Sequence, residues 1–126
     1  MPGEEKEEVE MEEYRLIRDG ARSLKFRGAV LGEASSHDHS GPNQNRWTEV
    51  AIYRTICGNY VVKILGRTRW QGESDRHSVT VCDSPAKVLA ALTDEDGEMS
   101  DVAVIALEKA AEVDTALATI ESERVE

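Results

Sequence analysis

Trp47-Thr48-Glu49-Val50-Ala51-Ile52-Tyr53-Arg54-Thr55-Ile56, then Gly58-Asn59, then Tyr60-Val61-Val62-Lys63-Ile64-Leu65 is the part of the chain from which the architecture is read. Side chains alternate along a strand. Val50, Ile52 and Ile56 therefore share one face, and Trp47, Ala51 and Tyr53 share the other. Gly58-Asn59 supplies the turn, and Tyr60 to Leu65 is β-branched and aromatic enough to return as a second strand.

Upstream, Leu24 and Phe26 alternate with Lys25 and Arg27, and Gly28 is the position expected to carry a bulge. Tyr14 and Leu16 precede an Asp19-Gly20 turn signal. Between these strands and Trp47, residues 35–46 (SSHDHSGPNQNR) read as a loop centred on Gly41-Pro42-Asn43. Downstream, residues 66–75 are polar, and His77 to Cys82 forms a further strand with Val79 and Val81 inward.

At Ser84 the period changes. Ser84 is suited to the N-cap and Pro85 to the first helical position, where its missing N–H costs nothing. Val88, Leu89 and Leu92 then share a face until residues 94–97 (DEDG) break the helix. Ser100 or Asp101 caps a second helix whose expected stripe is Val102, Ile105 and Ala106, with Lys109 and Val113 at its edge. A third, over about residues 115–124, presents Leu117 and Ile120. Strands followed by helices predict an α+β fold: an antiparallel sheet of four to five strands, then two to three helices packed on one face.

At 126 residues the chain has room for one core. The expected division is a disordered acidic tail over 1–12 and a single α+β domain over 13–126. The net charge of −10 is uneven: −5 over residues 1–12, +4 over 13–80 and −9 over 81–126. A basic middle between acidic ends either steers an anionic partner to one face or is neutralised within the fold. The acidic N-terminus lacks the pattern of a secretory signal, and no apolar run approaches membrane-spanning length. With two cysteines only, reduced thiols in a cytoplasm are the expectation.

Candidate chemistry is sparse. In His37-Asp38-His39 two imidazoles at i and i+2 point to one side of extended chain, which makes His37 and His39 the candidate metal ligands against a reading as solvated loop. Cys57 or Cys82 would need His77 as a base. His77 and Cys82, five positions apart on one strand, face opposite sides and lie roughly 16 Å apart. No phosphate-cradling glycine pattern is present. No enzyme activity, metal or cofactor is therefore expected.

The middle of the chain interleaves Arg27, Arg54, Lys63, Arg67, Arg69 and Arg76 with aromatic residues, a mixture that tracks phosphates and stacks on unpaired bases. These six are the nucleic-acid candidates. Trp47, Tyr53, Tyr60 and Trp70 are the interface candidates, since aromatic anchors dominate protein interfaces. Acidic helices also admit a third reading, as a DNA-mimicking inhibitor of a basic partner.

The order Leu24-Lys25-Phe26-Arg27-Gly28, Leu31-Gly32-Glu33, Ile52-Tyr53-Arg54-Thr55 and Gly58-Asn59-Tyr60-Val61-Val62 resembles the EXLDI family of small bacterial proteins, over about residues 24–92. That family's closing Glu-x-Leu-Asp-Ile is not present; Ala111-Glu112-Val113-Asp114-Thr115 occupies the comparable place with a partial match. The resemblance implies a bacterial origin and no known enzymatic role. The expected function is thus a non-enzymatic, cytoplasmic protein-interaction or oligomerising accessory module, with nucleic-acid binding as the alternative.

Overall fold

The computed structural model describes residues 11–36 and 45–121, with the side chains of the last three left aside. The fold is α+β. Five strands, β1 (Glu12–Leu16), β2 (Leu24–Ser35), β3 (Arg46–Thr55), β4 (Tyr60–Thr68) and β5 (Arg76–Cys82), precede three helices, α1 (Pro85–Leu92), α2 (Asp101–Val113) and α3 (Thr115–Glu121). The strands form one antiparallel meander in the order β1-β2-β3-β4-β5.

The two strand faces found by alternation have two different coverings. Val50, Ile52, Tyr60, Val62 and Cys82 face the helices and pack with Val88, Leu92, Val102, Ala106, Ala110 and Leu117. On the other face Leu16, Ala51, Tyr53 and Val61 form a second core with Tyr14, Leu24, Phe26 and Val79. That second core exists because the sheet curls. The β1–β2 turn reaches the far strand, where Asp19 N–H donates to the His77 carbonyl at 3.1 Å and Asp19 Oδ2 accepts from His77 N–H at 2.9 Å. Tyr14, Phe26 and Tyr53 meet inside the curl with ring centroids 4.9 to 5.4 Å apart.

Two glycines set the approach of neighbouring chains. A Cβ on Gly32 would lie 2.4 Å from the Ala106 carbonyl oxygen and 2.6 Å from Ala110 N, so α2 rests directly on β2. Gly28 serves the same purpose towards β3: a Cβ there would meet the Arg54 carbonyl oxygen at 2.1 Å. The expected bulge lies elsewhere, between Val30 and Gly32.

The contact at Gly32 also explains why the α2 stripe is rotated from the expected one. Val102, Ala103, Ala106, Leu107 and Ala110 are buried, while Ile105 is half-buried and Val113 is exposed. A helix lying against glycine turns its small residues downward. The caps form as expected: Ser84 Oγ accepts from Lys87 N–H, and Ser100 Oγ accepts from Ala103 N–H. Leu117 is buried, and the Ile120 side chain lies outside the described residues.

Three further expectations are corrected. Gly66 to Thr68 continue β4, held in register by pairs with β3 that run to Arg46–Thr68. Val81 is exposed, because β5 is the sheet's edge and the curl covers only as far as Val79. Ile56 falls beyond the end of β3 and is exposed in the turn.

Candidate functional site

The β3–β4 register gathers two cation–aromatic groups at one end of the sheet. Arg67 lies opposite Trp47, and Arg46 lies opposite Thr68. Successive residues of a strand point to opposite faces, so these two pairs stand back to back. On the Trp47 side, the Arg67 and Arg69 guanidiniums sit 5.7 and 5.2 Å from the indole centroid. Trp47 Nε1–H donates to Glu49 at 2.9 Å, and Arg67 is within 3.7 Å of Glu49 and 3.4 Å of Asp75.

On the other side Arg46 stands 6.0 Å from the Trp70 ring centroid and donates two hydrogen bonds to Glu73. Thr68 Oγ1–H donates to Glu73 at 2.7 Å, and the same oxygen accepts from Trp70 N–H at 3.1 Å. The hydrogen bonds from Arg46 and then from Thr68 pull the Glu73 carboxyl down to about 2. Trp70 remains 52% exposed. Arg46, Thr48, Gly66, Arg67, Glu73 and Arg76 line an open groove of about 670 Å³ here.

A third arginine has a different fate. Arg54 Nη1 donates to Asp114 Oδ2 at 2.6 Å, and its guanidinium lies 4.7 Å from the Tyr60 ring centroid. Tyr60 O–H donates to the same carboxylate at 3.1 Å. Asp114 closes α2 and caps α3, accepting from Ala116 N–H at 3.0 Å and Leu117 N–H at 3.3 Å. Burial, followed by the nearby Asp114 carboxylate, raises the Tyr60 phenol above its ordinary range. Asp114 itself is only 7% exposed. Its part as cap and ion-pair partner escaped sequence reasoning, although an acidic residue directly before Thr115 on a helical segment is a cap signal.

Of the aromatic candidates, Trp47 and Trp70 share the sheet end. Tyr53 and Tyr60 are buried in separate cores on opposite faces and present almost no surface. Burial, then Glu33 and Tyr14, pushes the Tyr53 phenol up to about 12. Of the basic candidates, Arg67, Arg69 and Arg76 lie at the same end. Arg54 is at the α2–α3 junction, exposed Arg27 is on β2 opposite Glu13, and half-buried Lys63 is between Ala51 and Val79. The six therefore do not form one continuous track.

His37 and His39 lie outside the described residues. Among the described residues, no three His, Cys, Asp or Glu side chains gather as metal ligands, and no helix is long and apolar enough to cross a membrane. Cys57 is exposed at the β3–β4 turn. Cys82 is buried on the helix-covered face, where desolvation and then Asp83 raise its thiol above the ordinary range. His77 is on the opposite face of β5, so these residues do not assemble a nucleophile with its base. In comparison with known proteins, the chain matches no family model, no curated protein and no solved structure.

Proposed function

We propose that this protein is a non-enzymatic binding module of the bacterial cytoplasm whose docking surface is the tryptophan–arginine end of the sheet, recognising a protein partner. The observation that carries the reading is the pre-set arrangement of Trp47 against Arg67 and Arg69, with half-exposed Trp70 beside Arg46. Tryptophan and arginine are the side chains most often found as interface anchors. Here the carboxylates of Glu49, Glu73 and Asp75 hold the arginines in place, so less side-chain freedom is lost on docking.

The same carboxylates weigh against nucleic acid. Arg46, Arg67, Arg69 and Arg76 are set among Glu49, Glu73 and Asp75, and a phosphate reaching Arg46 or Arg67 must displace one of those acids. The groove flanked by Arg46, Arg67 and Arg76 keeps the nucleic-acid reading as the alternative. The bacterial setting follows the resemblance to the EXLDI family.

Both of the chain's tryptophans are at this end, so intrinsic fluorescence reports on it directly. Titration with a single-stranded oligonucleotide should leave the emission unchanged. Quenching that fades steeply between about 50 and 200 mM salt, and that Arg69→Glu/Arg76→Glu removes, would replace the protein-docking reading by phosphate binding.

A further inference from the structure

Among the described residues β5 ends the sheet order and has a strand neighbour on one side only. At its start, His77 gives both outward backbone groups to Asp19. Backbone N–H and C=O groups reverse direction from one strand residue to the next. Val79 and Val81 therefore also aim theirs away from β4, and no described residue receives them. An exposed strand edge is a template for pairing unless charge, proline or a bulge protects it. The opposite edge, β1, carries Glu12, Glu13 and Arg15. Residues 78–81 of β5 are Ser-Val-Thr-Val, with neither charge nor proline, and Val81 is 51% exposed.

We propose that β5 pairs antiparallel with β5 of a second copy, Thr80 lying opposite Thr80 of that copy. A two-fold axis through a continuous antiparallel sheet centres the register on a single residue. Centring on Ser78 or Val79 would require the outward groups of His77, which Asp19 already occupies. Centring on Val81 would set Val79 against Asp83, outside the strand. Centring on Thr80 sets Val79 against Val81 of the second copy and Val81 against its Val79. Both residues have outward N–H and C=O groups, so each pair exchanges two backbone hydrogen bonds. Both side chains are on one face, and the two Val–Val pairs cover the exposed Val81. Thr80 meets itself as a non-hydrogen-bonded pair, where facing side chains stand closest, a favourable β-branched and hydroxyl pairing. The ladder ends with these pairs, because Asp19 already occupies the outward groups of His77 and Asp83 lies beyond the strand. This gives self-association a surface separate from the tryptophan end.

The test is sedimentation of the full chain under reducing conditions across a concentration series, with secondary structure monitored by circular dichroism. The wild type should approach twice 13.9 kDa. Each copy carries −10, so salt from about 50 to 200 mM should strengthen the dimer by screening repulsion. Thr80→Lys sets like charges face to face at an exposed position; it should weaken the dimer about tenfold or more while the spectrum is kept. In a Cys57→Ser background, Thr80→Cys should form a covalent dimer on mild oxidation, since the facing Cβ atoms stand near disulfide range. Trp47→Ala/Trp70→Ala should leave the dimer intact. A chain that stays monomeric, or a dimer indifferent to Thr80→Lys, overturns the proposal. A dimer lost in the tryptophan variant alone also overturns it, and moves self-association to the docking surface proposed above.

Discussion

Two regions of this molecule set an arginine against an aromatic ring and a carboxylate, and they have opposite fates. At the α2–α3 junction, Tyr60 and Asp114 are closed in between the sheet and the helices with Arg54 at the rim, and Asp114 is bonded to side chains and helix backbone together. At the sheet end, Arg46, Trp70 and Glu73 have the same chemistry but stand in water. Burial decides the difference. A desolvated carboxylate must be fully paired and becomes part of the fold. An exposed triad contributes little to stability and stays available to a partner.

The largest expected effect tests the first half of that contrast. Asp114→Ala leaves the Tyr60 hydroxyl unpartnered, takes from Arg54 its carboxylate while the Gly58 carbonyl remains, and removes the α3 cap. Because Arg54 is partly exposed, a loss of about 3 kcal/mol is expected by urea denaturation. Asp114→Asn keeps the cap and should cost about half as much. A loss below about 0.5 kcal/mol for the alanine variant would break the comparison.

A smaller effect follows at Arg54 itself. Lysine keeps the charge but not the planar group over Tyr60, and Arg54→Lys should cost about 1 kcal/mol in the same assay. At the other region, Trp70→Ala should change stability by less than about 0.5 kcal/mol, because the ring is half-exposed and, among the described residues, only Arg46 makes a cation–π contact with it. A cost comparable to that of Asp114→Ala would mean that the sheet end is structural too.

The smallest effect concerns pH. The folded Glu73 carboxyl is depressed to about 2 from an ordinary value of 4.5. Its contribution is therefore present above about pH 4.5 and lost as the pH falls towards 2. Carboxyl chemical shifts should show Glu73 titrating well below the ordinary carboxylate value. An ordinary midpoint would mean that Arg46 does not hold it.

Much of the architecture was legible in the residues, because its signals are local. Alternation through Trp47 to Leu65, the turn at Gly58 and the Ser84-Pro85 cap each follow from neighbours a few positions apart. The curl was not legible: alternation assigns Tyr53 and Val61 to a second face but does not say that the β1–β2 hairpin folds over it. That is why Tyr53, which reads as an anchor, is core. Long-range register likewise splits the basic residues, sending Arg54 to Asp114 and Arg67 to Trp47. The stripe of α2 was misjudged because hydropathy favours Ile105 and Val113, whereas the close seat at Gly32 selects Ala103, Ala106 and Ala110. At the site, Trp47, Trp70, Arg67, Arg69 and Arg76 were recognisable by type; their acidic counterparts Glu49, Glu73 and Asp75 were not, because those contacts depend on the fold.

The most direct measurement is capture from a bacterial lysate with tagged wild-type protein, Trp47→Ala/Trp70→Ala and Asp114→Asn, each divided into nuclease-treated and untreated halves. A protein should be retained by the wild type and by Asp114→Asn in both halves, and lost with the tryptophan variant. Capture that the tryptophan variant leaves unchanged, or captured material that disappears with nuclease, would contradict the protein-docking reading.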